Sequence, residues 1–291
     1  MGRLRSSEWL LIIYFSYVAF ISPAFSLPGP VAWRPFAVAL LVAGLLVAFA
    51  YGEAREYPET FSIARDWLAV ALVLVAYREM DWFGYLSHDY HLEMRWIEWD
   101  RWFLYKAGMQ HAIESLGALV PLYLELCYLL VYAVGPFAVA VLYFERRRDL
   151  VNALLGVYLL GTLLSYALFP YFPSDPPRLV FGGSDMPNVV TAVRRFNLWI
   201  VNGYGIHSSV FPSAHVSSAF SAAWALLLLL PAKKRLGLGM LIYALSVSVA
   251  TVYGRYHYLA DVVAGFWISV VAGIAGALAI GPQMNADKRA L

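Results

Sequence analysis

Apolar residues in this chain come in long blocks, divided by short polar connections and by one long mixed stretch. Runs such as PFAVALLVAGLLVAFAY (35–51) and FSAAWALLLLLP (220–231) carry no charge. They approach the roughly 20 residues that cross a bilayer as a helix. Eight such segments are predicted, at 9–26, 33–51, 64–80, 119–144, 150–169, 213–230, 237–253 and 258–280. The third is the weakest, because Arg65, Asp66, Arg78 and Glu79 crowd its ends. Between the third and fourth lies 81–118, rich in Trp and Tyr and mixed in charge, which predicts one or two amphipathic interfacial helices. The first segment has Arg3 and Arg5 ahead of it and SPAFS behind it, a pattern that also fits a cleaved signal peptide. It is read as a retained span, since many spans follow and none needs a leader. The expected architecture is all-α, a polytopic integral membrane bundle of about eight transmembrane helices with an interfacial helix.

Composition sharpens this. Of the 291 residues 61% are hydrophobic and 14% charged, where a soluble domain carries about a quarter charged. A net charge of +2 gives no strong pull toward nucleic acid. The 16% aromatic content suits belts at the membrane interfaces. Cys127, alone in LELCYLLVY, excludes a disulfide framework and a cysteine metal site. HDYHLE offers His88, His91 and Glu93 near metal-ligand spacing but without a full set of well-placed ligands, so no metal or other cofactor is expected.

Basic residues set the orientation. With the N-terminus inside, the inner connections hold Arg3 and Arg5, Arg55 and Arg65, Arg146 to Arg148, Lys233 to Arg235, and Lys288 with Arg289. This is the positive-inside pattern. Both termini are then cytoplasmic and the chain is a multi-pass protein of a plasma or inner membrane.

Three polar patches reach the outer level in that arrangement: FPYFPSDPPRLVF (169–181), FPSAHVSS (211–218) and YGRYHYLADVVAG (253–265). Ionisable groups at such depth are expensive, and their gathering points to function. His257 and Asp261 are four apart, so on a helix they share a face. The carboxylate can hold the imidazole's tautomer, leaving the other ring nitrogen as nucleophile or base. His215 supplies a second proton-transfer group. Pro212 suits a first helical turn, and the free N–H groups beyond Ser213 suit an oxyanion. Arg178 and Arg255 are candidate phosphate clamps. Against this stands a purely structural network joining helices. For Arg194 and Arg195 a lipid-headgroup anchor is the commoner role, His207 reads as a solvated loop residue, and the adjacent Asp100 and Arg101 need no function.

PSAH followed by RYHYLADVV resembles the last two signature motifs of the type 2 phosphatidic acid phosphatase superfamily. FPSDPPR resembles the first motif as found in its inositolphosphotransferase-like branch, which includes inositol phosphorylceramide synthases. ARDWLAVALVLVAYREMDW and WDRWFLYKAG are also similar to that branch, so the resemblance runs from about 64 to 280. It implies N-terminal transmembrane helices over 1–80 and a six-helix, phosphatase-like core within 81–291, whose interfacial helix occupies 81–118. It further implies a metal-independent reaction through a phosphohistidine. His257 would attack phosphorus, Asp261 would orient it, His215 would protonate the leaving oxygen, and Arg178, Ser213 and Arg255 would hold the phosphoryl oxygens. The chain departs from the superfamily pattern at Tyr171, where a Lys is usual, at Ala214 for Gly, and at Thr251 for Arg, with Arg255 as the substitute.

The expected partners are a lipid phosphate or phospholipid in the bilayer and, for a headgroup transferase, an alcohol or polyol acceptor. With water as acceptor the enzyme is a phosphatase. The competing class is a non-catalytic transporter or scaffold, which would carry broken helices and polar groups near the midplane.

Overall fold

The computed structural model describes residues 2–25, 27–55, 57–84 and 88–289, without the side chains of Ser184 and 281–289. Among them are thirteen α-helices and no strand. They are α1 (Ser6–Ile21), α2 (Arg34–Arg55), α3 (Pro58–Met80), α4 (His91–Arg101), α5 (Met109–Glu114), α6 (Leu119–Leu130), α7 (Val134–Phe144), α8 (Val151–Leu168), α9 (Pro177–Val180), α10 (Ala192–Tyr204), α11 (Ala214–Leu229), α12 (Lys234–Tyr253) and α13 (Leu259–Arg289).

Seven stretches are long and apolar enough to cross a membrane: Ser6–Ala24, Arg34–Arg55, Pro58–Phe83, Leu119–Phe144, Arg148–Tyr171, Pro231–Tyr253 and Leu259–Ile280. The chain is therefore a multi-pass membrane protein. Seven of the eight expected segments meet that length, and the eighth, 213–230, forms the 16-residue apolar α11. At 1.5 Å per residue that helix rises about 24 Å, against a hydrocarbon thickness of about 30 Å. The third span, the weakest in the sequence, is 26 residues long and starts at Pro58. Arg65 and Asp66 thus lie inside it rather than at its end.

Ion pairs show which connections share an end. Arg5 pairs with Asp66 at 2.6 Å, Arg148 reaches the same carboxylate at 2.9 Å, Arg65 pairs with Glu8 and Glu53, and Lys233 pairs with Glu145. The start of α1 and the α2–α3, α7–α8 and α11–α12 connections therefore meet at one basic end. Arg65 and Asp66 are almost wholly buried there, which is tolerable because each charge has opposite charges around it. At the opposite end, Tyr17 donates to the Ala167 carbonyl at 2.8 Å, Phe25 packs edge-on against Phe83 and Tyr171, and the Ile206 N–H donates to the Tyr77 hydroxyl at 3.2 Å.

Small residues bring the central helices close. A Cβ at Gly161 of α8 would strike the Ser221 hydroxyl of α11, and one at Gly265 of α13 would strike the Ser213 carbonyl oxygen. The Ser217 hydroxyl donates to the Gly161 carbonyl at 3.1 Å and lies 2.7 Å from that of Ser165. Close backbone approach through small residues, fixed by hydroxyl hydrogen bonds, is how helices associate in lipid, where no hydrophobic effect drives them together. α11 is thus clamped between α8 and α13. The three helices ahead of the interfacial region also belong to this bundle, since α1 and α3 pack on α8.

Candidate active site

α12 ends in a Schellman motif. The Arg255 N–H donates to the Val252 carbonyl at 3.1 Å and the Tyr256 N–H to the Thr251 carbonyl at 2.9 Å. The position that closes such a motif in the left-handed region is usually glycine. Here it is Arg255, with φ of 60°, one residue after Gly254. A side chain in that conformation costs about 1 kcal/mol. Two contacts offset it: Arg255 Nη1 donates to Asp100 at 2.6 Å, and its carbonyl accepts from the Arg178 N–H at 3.1 Å. The turn points the next residues back into the bundle.

His257 follows in the connection, two residues before α13 begins, so it does not share a continuous helix with Asp261 as the four-residue spacing suggested. The pairing forms all the same. His257 Nδ1 lies 3.1 Å from Asp261 Oδ2, which also accepts the Tyr258 N–H at 2.9 Å, the reciprocal half of a capping box at the start of α13. His257 Nε2 faces His215 Nδ1 at 3.2 Å. Burial first, and the charge of Arg178 second, push the His257 imidazole down to about 3, so it is neutral at physiological pH.

His215 enters from α11. Ser213 is the N-cap, its hydroxyl accepting from the Val216 N–H at 3.4 Å. Pro212 therefore precedes the helix instead of filling its first turn. Such a cap leaves the first-turn N–H groups of Ala214 and His215 free of intrahelical partners, and both residues line a cavity of about 530 Å³. The His215 ring stacks on Tyr128 and meets Tyr132 edge-on, and Tyr128 stacks on Tyr256 at 3.7 Å.

Arg178, His215 and His257 share the polar head of that cavity. Arg178 sits in α9, its Nε buried without a hydrogen-bond partner among the described residues and its guanidinium 5.9 Å from the Tyr256 ring centre. Arg255 and Ser213 stand behind the lining, and Asp261 behind His257. The structure thus gathers all six expected residues, three at the cavity and three as their supports.

The interfacial region supplies two further carboxylates. Glu93, Ile97, Asp100 and Leu104 form the buried stripe of α4 and the π-helical turn after it. Glu93 accepts the Asp175 N–H at 2.8 Å and also pairs with His88. Asp100 holds Arg255 and accepts the Leu259 N–H at 2.8 Å. Burial lifts the Asp100 carboxyl to about 7, against the pull of Arg255 and that N–H. Arg101, one residue on, points elsewhere and pairs with Asp185 at 2.7 Å. Asp100 therefore has a role that its adjacency to Arg101 did not suggest. The 4–3–4 spacing of the stripe was the available signal.

Arg194 needs a correction too. It is 2% exposed and pairs with Glu125 of α6 at 2.7 Å, so it is no headgroup anchor; Arg195 is exposed. Glu125 also accepts from Asn197 at 2.8 Å and Tyr256 at 2.7 Å, fixing the residue beside His257. A lone carboxylate in an apolar run, as Glu125 is in LVPLYLELCYLL, is the signal the sequence carries for it. His207 is exposed, its N–H donating to Asp81 at 2.9 Å. Among the described residues no three His, Cys, Asp or Glu side chains gather as metal ligands.

An all-helical membrane bundle with paired histidines, a carboxylate and a guanidinium at the head of a cavity brings together groups able to bind an anion and to move a proton. A family model described as the PAP2 superfamily matches residues 96–275, more than half of the chain, and the protein belongs to that superfamily. Membership usually means a phosphatase, and it agrees with a lipid substrate in the bilayer. No curated protein and no solved structure matches the chain.

Proposed function

We propose that the protein moves a phosphoryl or phospho-headgroup from a membrane lipid through a covalent phosphohistidine, at the extracytoplasmic face and without a metal. The observation that carries this reading is the order Asp261, His257, His215 at the head of a cavity that also holds Arg178. With the proton on Nδ1 facing Asp261, His257 Nε2 has the lone pair that attacks phosphorus. The P–O bond to the lipid alcohol breaks as the N–P bond forms, and His215, entering as the imidazolium beside the anionic substrate, gives that oxygen its proton. Arg178 and the first N–H groups of α11 neutralise the phosphoryl oxygens. Arg255 adds positive charge behind them, and Ser213 fixes the helix start. A water or an alcohol then attacks the phosphohistidine, with His215 as base.

An attacking nitrogen needs about 3–3.5 Å to phosphorus, and the acid a further hydrogen bond to the leaving oxygen on the far side. The His215–His257 contact of 3.2 Å is too short to hold both, so substrate separates the two rings. The outer placement rests on the basic connections gathering at the other end of the bundle.

A second, polar cavity of about 270 Å³ favours transfer to an alcohol over hydrolysis. It shares Arg178 and Ile206 with the first and adds Asp175, Asn202 and His207, groups suited to a polyol. The test uses purified protein in detergent with EDTA, a panel of lipid phosphates and phosphodiester lipids, and inositol present or absent. Phosphate release that ignores the polyol means a phosphatase. A polyol phosphate ester formed only with the polyol, alongside release of the lipid alcohol, means a transferase. Silence in both, or full turnover by His257→Ala, overturns the reading.

A further inference from the structure

The cavity is larger than a phosphoryl group requires, and most of it is apolar. It runs from His257 along the face of α8 that carries Tyr166 and Tyr158, eight residues and about 12 Å of rise apart. Its two side walls are Val73 and Leu74 of α3, and Val131 and Tyr132 of the turn between α6 and α7. α3 packs chiefly on α1, α2 and α8, and α6 on α10 and α12, so the space between α3 and α6 is filled by neither. Leu74 is 60% exposed and Tyr132 42%, although both line the cavity and both lie within stretches able to span a membrane. The cavity therefore opens sideways toward hydrocarbon. Its cations are Arg178 at the site and Arg78, one turn beyond Leu74 toward the end of α3. An anionic head with a hydrocarbon chain matches that distribution of charge and apolar surface. α3 lies ahead of residues 96–275, so this wall stands outside the region the family model covers.

We propose that α3 and the α6–α7 turn form a side entrance for one hydrocarbon chain of the lipid, with Tyr158 as the floor, so that this chain's length decides which substrates turn over well. The proposal rests on the lipid-phosphate reading of the site and assigns its selectivity to α3. At about 530 Å³ the cavity is of the size that encloses a small ligand, and a lipid with two long chains must leave one in the bilayer.

The test measures kcat/KM for alkyl phosphates of increasing chain length in mixed micelles, for the wild type, Leu74→Trp and Tyr158→Ala. The wild type should rise with length to a limit. Leu74→Trp should lower the long-to-short ratio at least about tenfold, a difference of roughly 1.4 kcal/mol in transition-state binding, and Tyr158→Ala should move the limit to longer chains. The same length profile in all three proteins overturns the proposal while leaving phosphoryl transfer intact. Wild-type silence on every chain overturns both. Wild-type protein photolabelled with an alkyl phosphate bearing a chain-end diazirine removes any dependence on the variants folding. Label on the 73–74, 131–132 and 158 peptides is expected, and label confined to other spans refutes the entrance.

Discussion

Replacing Asp261 by Asn separates two things a carboxylate can do for a nucleophilic imidazole, namely fix its tautomer and balance its charge. Asp261 Oδ2 takes both the His257 and the Tyr258 hydrogen bonds, while Oδ1 is buried with no partner among the described residues. An Asn oxygen can therefore occupy the Oδ2 place and keep both bonds, its amide nitrogen falling where Oδ1 had none. The tautomer survives, unlike in the serine-protease triad, where the corresponding change costs about 10⁴ in kcat by reversing it. What is lost is the negative charge beside a ring that becomes cationic as the N–P bond forms. At a charge separation of about 4 Å and an effective dielectric near 20, that attraction is about 4 kcal/mol. The carboxylate already holds the N–H dipole of the neutral ring in the ground state, which makes the net loss smaller, so kcat should fall by about 10²–10³ with little change in stability. Asp261→Ala also removes the cap on Tyr258 and should unfold about 1 kcal/mol more easily. The assay is single turnover with ³²P-labelled substrate, quenched in alkali to preserve phosphohistidine, beside thermal unfolding in detergent. A fall of less than about tenfold for the Asn variant would refute the charge argument.

Further expectations concern the rest of the site. Arg178→Ala should lower kcat/KM by about 10²–10³ and Arg178→Lys should restore only part of it, because the planar fork is lost while the charge remains; equal rescue by Lys would contradict bidentate binding. The His257 ring is held below its ordinary value, so it keeps its lone pair as pH falls until near 3. The acid limb of kcat/KM, corrected for the substrate's own ionisation, should accordingly lie well below pH 6.5, and a limb at 6.5 would contradict the burial argument. Gly265→Ala should cost about 1–3 kcal/mol in thermal unfolding and lower kcat too, since the new methyl meets the Ser213 carbonyl oxygen at the start of α11. Wild-type stability in that variant would show that the helices have room to part.

Much of the bundle was legible because lipid imposes a coarse rule, a long apolar run, that local sequence can express. His257 and Asp261 were legible for a related reason, since four-residue spacing pairs side chains whether the helix starts before or after the first of them. The contacts between distant segments were not. Asp100 to Arg255 and Glu125 to Arg194 join residues 155 and 69 positions apart, and no local pattern announces such a partner. Asp100 and Arg101 illustrate the difficulty, because neighbours on a helix point about 100° apart and these two serve different loops. At Arg255 the local rule would have chosen Gly254 for the left-handed position, and the tertiary ion pair moved it by one residue.

For the proposed lipid reaction, the shortness of α11 sets how far the lipid must travel. Its far end is held level with its neighbours at the basic end, where Lys233 meets Glu145, so about 6 Å of the missing rise falls on the side of His215. Each methylene drawn from hydrocarbon into water costs about 0.8 kcal/mol, and lifting a chain by that distance would add several kcal/mol to every encounter. In the proposed reaction, a centre set back by about one helical turn would meet the ester bond where the bilayer already keeps it, and water or alcohol, the cheaper molecule to move, would make the journey instead.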